Sequence, residues 1–186
     1  MINLLYVATK LESFIQKLKE LLKKENGKIF IPKIIVDREV TEEDQSRLLK
    51  RLVDEGMISL AEVIENEIKK MKRLYSFRLG DGEIGMLILV KNFLREGSAA
   101  AGFTNDKLAI KKWKDEIPLL HGLWFYVQMF YYNLLSKEEL DEVINISNED
   151  MKIKKVELER IKEEYINKKA ILEKIINEFI SRKKLI

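Results

Sequence analysis

The sequence predicts an α/β fold that is strongly helix-rich, with a small sheet and a long C-terminal helix. Three observations carry that expectation. Apolar residues recur at three- and four-residue steps through most of the chain. Only two prolines and eight glycines punctuate 186 residues, too few for a sandwich or barrel with many tight turns. The β-branched runs that would form strands are short and scattered between helical stretches. With 46% hydrophobic residues the chain can bury a core without a metal or disulfide staple.

Taken in order, Leu11, Phe14, Ile15, Leu18, Leu21 and Leu22 form one face of a first helix that should stop near Asn26-Gly27. IFIPKIIV (29–36) reads as an edge strand or extended link, because Pro32 cannot donate to a ladder. Thr41 with Asp44 opens a helix whose stripe is Leu48, Leu49, Leu52 and Val53, ending at Gly56. Ser59 with Glu62 has the spacing of a capping box, opening a helix faced by Leu60, Val63, Ile64, Ile68 and Met71. YSFRL (75–79) alternates as a strand does, and the apolar IGMLILVKNFL that follows is a buried helix ending near Gly97.

GSAAAGFTND (97–106) is a loop, and Asn105 or Asp106 caps the next helix, which runs through Lys114. Residues 119–135 are apolar nearly all round, so periodicity does not choose between helix and strand there. Ser136 with Glu139 is a second capping box. In the tail, Leu158, Ile161, Tyr165, Leu172, Ile175 and Phe179 fall on a heptad seam that Lys168 breaks once. The expected organisation is an N-terminal helical and edge-strand segment (1–58), a core (59–135) and a C-terminal helical extension (136–186).

Several function classes fall away on composition. A net charge of +3 comes from Lys and Glu interleaved almost everywhere, whereas a nucleic-acid binder gathers its excess into a patch. No specific nucleic-acid partner is expected. The absence of cysteine removes disulfides, thiolate metal sites and cysteine nucleophiles. No apolar run approaches the roughly 18 residues of a membrane span, and MINLLYVATKLESF lacks a basic start for a signal peptide. A cytoplasmic protein is the expectation.

The chemistry concentrates at Gly80-Asp81-Gly82-Glu83, between a short strand and a helix. Glycines allow a sharp turn and close approach of a ligand to the backbone. The following helix N-terminus offers unpaired N–H groups and partial positive charge suited to phosphate. Asp81 and Glu83 can hold a hard divalent cation through oxygen, and Arg78 is a further phosphate partner. The plainer role also fits, since acidic residues in a first turn stabilise any helix by about 0.3–1 kcal/mol each.

Ser76-Phe77-Arg78-Leu79-Gly80-Asp81-Gly82-Glu83 resembles the R-x-G-D-G-E signature of the GT-D fold glycosyltransferases of bacteria. Ala101-Gly102-Phe103 and the helix after it fall where that family has a glycine-containing loop and helix, so the resemblance covers about residues 60–117. It implies a partial Rossmann-like sheet and a GT-D-like core. It also implies a nucleotide-sugar site made by Arg78, Gly80, Asp81, Gly82 and Glu83, with Asp81 and Glu83 on a divalent metal, Mn²⁺ or Mg²⁺. The acceptor would be a carbohydrate, such as a surface glycan or glycoprotein glycan. No catalytic base is identified.

Elsewhere, His121 reads as a core or surface residue rather than a base. Trp124, Phe125, Tyr126, Phe130, Tyr131 and Tyr132 read as core more than as a sugar-stacking surface, because Val127, Met129 and Leu134 are interleaved with them. Lys111, Lys112 and Lys114 read as a solvated helix face. The tail seam either packs back on the domain or makes a homo-oligomer. The alternative to an enzyme is therefore a non-catalytic helical interaction or oligomerisation module.

Overall fold

A computed structural model describes residues 2–75, 79–113, 116–151 and 159–160. The fold is helix-rich α/β. Helix α1 (Ile2–Lys10), which the periodicity does not reveal, breaks at the extended Leu11 into α2 (Glu12–Lys24). Phe14, Ile15, Leu18 and Leu21 face the core as expected. At the end of α2, Asn26 turns left-handed (φ 47°), and the Gly27 N–H donates to Leu22 O at 2.8 Å. This is a Schellman close. The same close recurs at Gly56, Gly97 and Asn133, which end α4 (Glu43–Asp54), α6 (Asp81–Arg95) and α8 (Leu123–Tyr131).

Strand β1 (Ile29–Pro32) pairs in parallel with β2 (Ile58–Ala61), and β3 (Gly102–Thr104) pairs in parallel with β4 (Leu119–His121). The connections are helical: α3 (Lys33–Glu39) and α4 in the first unit, α7 (Lys107–Trp113) in the second. Among the described residues these are two separate two-stranded pairs rather than one sheet.

Several local expectations change. The strand expected over 29–36 ends at Pro32, whose φ of −57° leads directly into α3, so Ile34, Ile35 and Val36 are helical. Ser59 lies inside β2 and caps nothing, and the next helix, α5, starts only at Glu65. Leu60 and Ile64, expected on its buried face, are exposed. Pairing with β1 has overridden the capping-box spacing. Tyr75 is the last residue of α5 (Glu65–Tyr75), not the start of a strand; residues 76–78 lie outside the described residues, and Leu79 is not in a strand. The ambiguous 119–135 run is both things in turn, β4 then α8.

Two cores result. One joins Leu5, Phe14, Leu18, Ile31 and Leu52 to Met129 of α8 and Val143 of α9 (Lys137–Met151). The other gathers Ile68, Ile84, Leu87, Trp113, Ile117 and Leu119. The segments 1–58, 59–135 and 136–186 therefore do not map onto separate cores, because α8 and α9 pack with the N-terminal helices. Trp124 and Tyr126 are buried, whereas Tyr131 is 40% exposed. The tail seam from Leu158 to Phe179 lies outside the described residues. No helix among the described residues is long and apolar enough to cross a membrane.

Helix α9 is fixed at both ends. The Ser136–Glu139 box forms as expected, the Ser136 N–H donating to Glu139 Oε2 at 2.8 Å and the Glu139 N–H to Ser136 Oγ at 3.2 Å. Near its far end, Asn3 Oδ1 accepts from Ser147 Oγ at 2.6 Å and from Tyr126 Oη at 2.9 Å, while Asn3 Nδ2 donates to Ser147 O at 3.0 Å. This buried network ties α1, α8 and α9 together.

The packing that positions the site is α6 against the β1–α3 corner. A Cβ at Gly82 would lie 2.5 Å from Ile35 Cγ1, and one at Gly85 3.1 Å from Pro32 Cβ. At Gly82 a side chain would force Ile35 to shift, and at Gly85 it would crowd Pro32 by a few tenths of an ångström. Gly82→Ala is expected to destabilise by about 1–3 kcal/mol through overpacking, read as a lower midpoint in urea. Tyr126→Phe should cost about 1 kcal/mol in the same assay, because Ser147 still satisfies Asn3 Oδ1.

Candidate functional site

The first turn of α6 begins at Gly80, an extended N-cap (φ −65°, ψ 158°). The Gly80 N–H donates to Glu83 Oε2 at 3.0 Å. This is half of a capping box, since glycine has no side chain to return the bond. The other Glu83 oxygen faces Thr104 Oγ1 at 3.5 Å, at the outer limit for a hydrogen bond. Thr104 is the last residue of β3, and its hydroxyl also accepts from the Asp106 N–H at 3.1 Å. Asp106 in turn caps α7 as expected, with Oδ1 accepting from the Ala109 N–H at 3.0 Å.

Asp81 faces a different set of groups. Its two oxygens form ion pairs with Arg38 of α3 and Lys72 of α5. The carboxylate is only 16% exposed, whereas the Arg38 and Lys72 side chains are 60% and 41% exposed. The cations therefore stand at the surface above a mostly covered anion. Lys72 first, and Arg38 after it, hold the Asp81 carboxyl below its ordinary range against the opposing effect of burial. Glu83 is pushed the other way, chiefly by burial, with Asp106 and Glu39 adding repulsion and the Gly80 and Thr104 bonds opposing.

These side chains cluster near the carboxyl ends of β1 and β3, which belong to two separate parallel pairs. Thr104 ends β3, Pro32 ends β1 just before the helix that carries Arg38 and Glu39, and α6 packs on both strands. Of the residues the sequence singled out, Gly80 is exposed at the turn, and Asp81 and Glu83 both start α6 but share no partner. Gly82 is buried against Ile35 and Glu39, so its missing side chain accommodates the protein's own helix. Arg78 lies outside the described residues.

His121, paired in register with Thr104, is 7% exposed, and its Nδ1 accepts from the Leu123 N–H at 3.3 Å. It is buried, the first of the two placements, core or surface, that the sequence left open. Lys111 and Lys112 are exposed on α7.

The residues present do not fit a divalent cation shared by Asp81 and Glu83. Two cations already match the charge of Asp81, and burial disfavours ionised Glu83. Among the described residues no group of three or more His, Cys, Asp or Glu is placed to hold a metal ion. Sequence reasoning missed Arg38, Lys72, Glu39 and Thr104. Lys72 belongs to the visible basic cluster Lys69–Arg73, but Arg38 lay between the stretch 29–36 and the helix opened at Thr41, where nothing pointed to a role.

The two carboxyls give opposite pH signatures. A depressed folded pKa means that Asp81 contributes stability above its ordinary value of 3.8, lost as the pH falls through the depressed value. A raised folded pKa means that Glu83 disfavours the fold once ionised; that penalty disappears as the pH falls through the raised value towards 4.5. In thermal melts, Glu83→Gln should melt above the parent at neutral pH and lose the advantage below pH 4.5. Asp81→Asn should melt below the parent at neutral pH, its deficit shrinking below pH 3.8. No protein-family model matches the chain, nor does any curated protein or solved structure.

Proposed function

We propose that the N-terminal end of α6 is the diphosphate-binding end of a nucleotide-sugar site, in a glycosyltransferase-like protein that transfers to a surface glycan or glycoprotein. One observation carries the reading. The Gly80–Glu83 turn opens a 15-residue helix that packs on β1 and β3, with Arg38 and Lys72 at the surface of the same turn. N–H groups of a first helical turn have no partner within the helix, and the helix dipole adds partial positive charge. A diphosphate laid against Gly80 would meet both, together with the cations of Arg38 and Lys72. The metal that the R-x-G-D-G-E resemblance implies does not fit Asp81 and Glu83 as they stand.

A second reading has its own support. Asp81 pins α3 and α5 to α6, and Gly82 and Gly85 let α6 dock, so the whole turn also makes sense as a helix-docking element of a non-catalytic interaction module.

Titration calorimetry with uridine, guanosine and cytidine diphosphate separates the two. The enzyme reading expects saturable one-to-one binding of at least one of them, and the module expects none. Gly80→Asp sharpens the test, because aspartate is a good N-cap and the space at Gly80 is open, the nearest atom being Glu83 Oε2 at 3.7 Å. This substitution should shift Tm by less than about 3 °C, while the added charge weakens diphosphate binding about tenfold or more. Unchanged affinity would place the ligand elsewhere.

A further inference from the structure

We infer that Asp81 is an internal counter-ion rather than a metal ligand, and that the charge a divalent cation would present to a diphosphate is supplied here by Arg38 and Lys72. The second half rests on the diphosphate reading above; the first stands without it. The inference begins from the mismatch between the donor set and a metal. A carboxylate that ligates a divalent ion needs at least one oxygen open toward a partner ligand, yet each Asp81 oxygen faces its own cation. A metal entering there would have to displace a guanidinium and an ammonium and then lie beside them.

The second carboxylate of the motif does not help. Glu83 turns back to the Gly80 N–H and towards Thr104, on the side of Glu39 and Asp106, and leaves Asp81 alone with its cations. Asp81 sets one negative charge against the two positive ones that face it, and the α6 dipole adds partial positive charge on that side, while Glu39 and Asp106 stand on the Glu83 side of the turn.

The arrangement has a direction. Asp81 is mostly covered while the Arg38 side chain is exposed and that of Lys72 partly so, and an arriving anion meets Arg38 and Lys72 before it meets the carboxylate. Arginine offers a planar fork that suits two phosphate oxygens, and lysine a flexible point charge. Asp81 faces both from the first turn of α6, the helix on which α3 and α5 each pack. Arg38 and Lys72 are thus the binding residues of the site, and Asp81 is the counter-ion that an arriving anion competes with for them.

The experiment uses the full chain with Mn²⁺ and inorganic pyrophosphate as probes, in calorimetry and in thermal melts. Pyrophosphate should bind equally well in EDTA and in Mn²⁺, and Arg38→Met or Lys72→Met should weaken it about tenfold each. Asp81→Asn should leave binding intact or tighten it a few-fold, since it removes the competing anion, and still require no metal. Mn²⁺ alone should give no binding heat and no shift in Tm.

Loss of pyrophosphate binding in EDTA, or Mn²⁺ binding by the parent that Asp81→Asn abolishes, overturns the counter-ion assignment. Absence of pyrophosphate binding in both conditions overturns the role given to Arg38 and Lys72. A chain that binds pyrophosphate without metal but binds no nucleoside diphosphate supports the inference and removes the nucleotide-sugar reading. Thermal melts of Asp81→Asn, Lys72→Met and the double variant add a fold-level check. Non-additive shifts support the counter-ion role, and additive ones refute it.

Discussion

The close approach of α6 to the β1–α3 corner is the constraint on which the rest of the site depends. Two glycines one helical turn apart, Gly82 and Gly85, leave room for Ile35 and Pro32; a Cβ at Gly82 would force Ile35 to shift, and one at Gly85 would crowd Pro32. With side chains there, the helix would stand off from α3 and Arg38 would lose its reach to Asp81. The same docking sets Glu83 beside Thr104 at the end of β3. A sequence motif that looks like ligand chemistry is thus first a packing device, and whatever chemistry it supports is built on that packing.

Electrostatics follow from that geometry. Burying one carboxylate is costly unless it is matched, and Asp81 is matched twice, from α3 and from α5. Glu83 receives only hydrogen bonds, one of them long, and lies near two other carboxyls, so its charged form is disfavoured. Two carboxyls separated by one residue end in opposite electrostatic states. The cause is their environments, not their spacing.

The larger architecture shows how the two ends of the described chain cooperate. Helices α1 and α2 share a core with α8 and α9, while residues 68–119 gather a second one. The Asn3–Tyr126–Ser147 network gives the first core a specific polar lock, and apolar burial alone would leave the angle of α9 less defined. Holding the first core together also holds β1 in place, and with it the corner against which α6 docks.

What the sequence alone determined was local. The helix stops at Asn26-Gly27, Gly56 and Gly97, the buried stripes of α2 and α4, the Ser136–Glu139 box and the Asp106 cap are all written within a few residues, because dihedral preference and capping act over one turn. The helix-rich class and the core role of Trp124 and Tyr126 were legible for the same reason. The tertiary structure decided what depends on distant partners. Ser59 became a strand residue because β1 lies beside it, and Ile34 to Val36 became helical behind Pro32. Asp81 became a counter-ion because Arg38, 43 positions away, is brought to it, as Ser147 is brought to Asn3 across 144. Charge spacing along a chain sets which ionised groups are available; only packing chooses which of them meet.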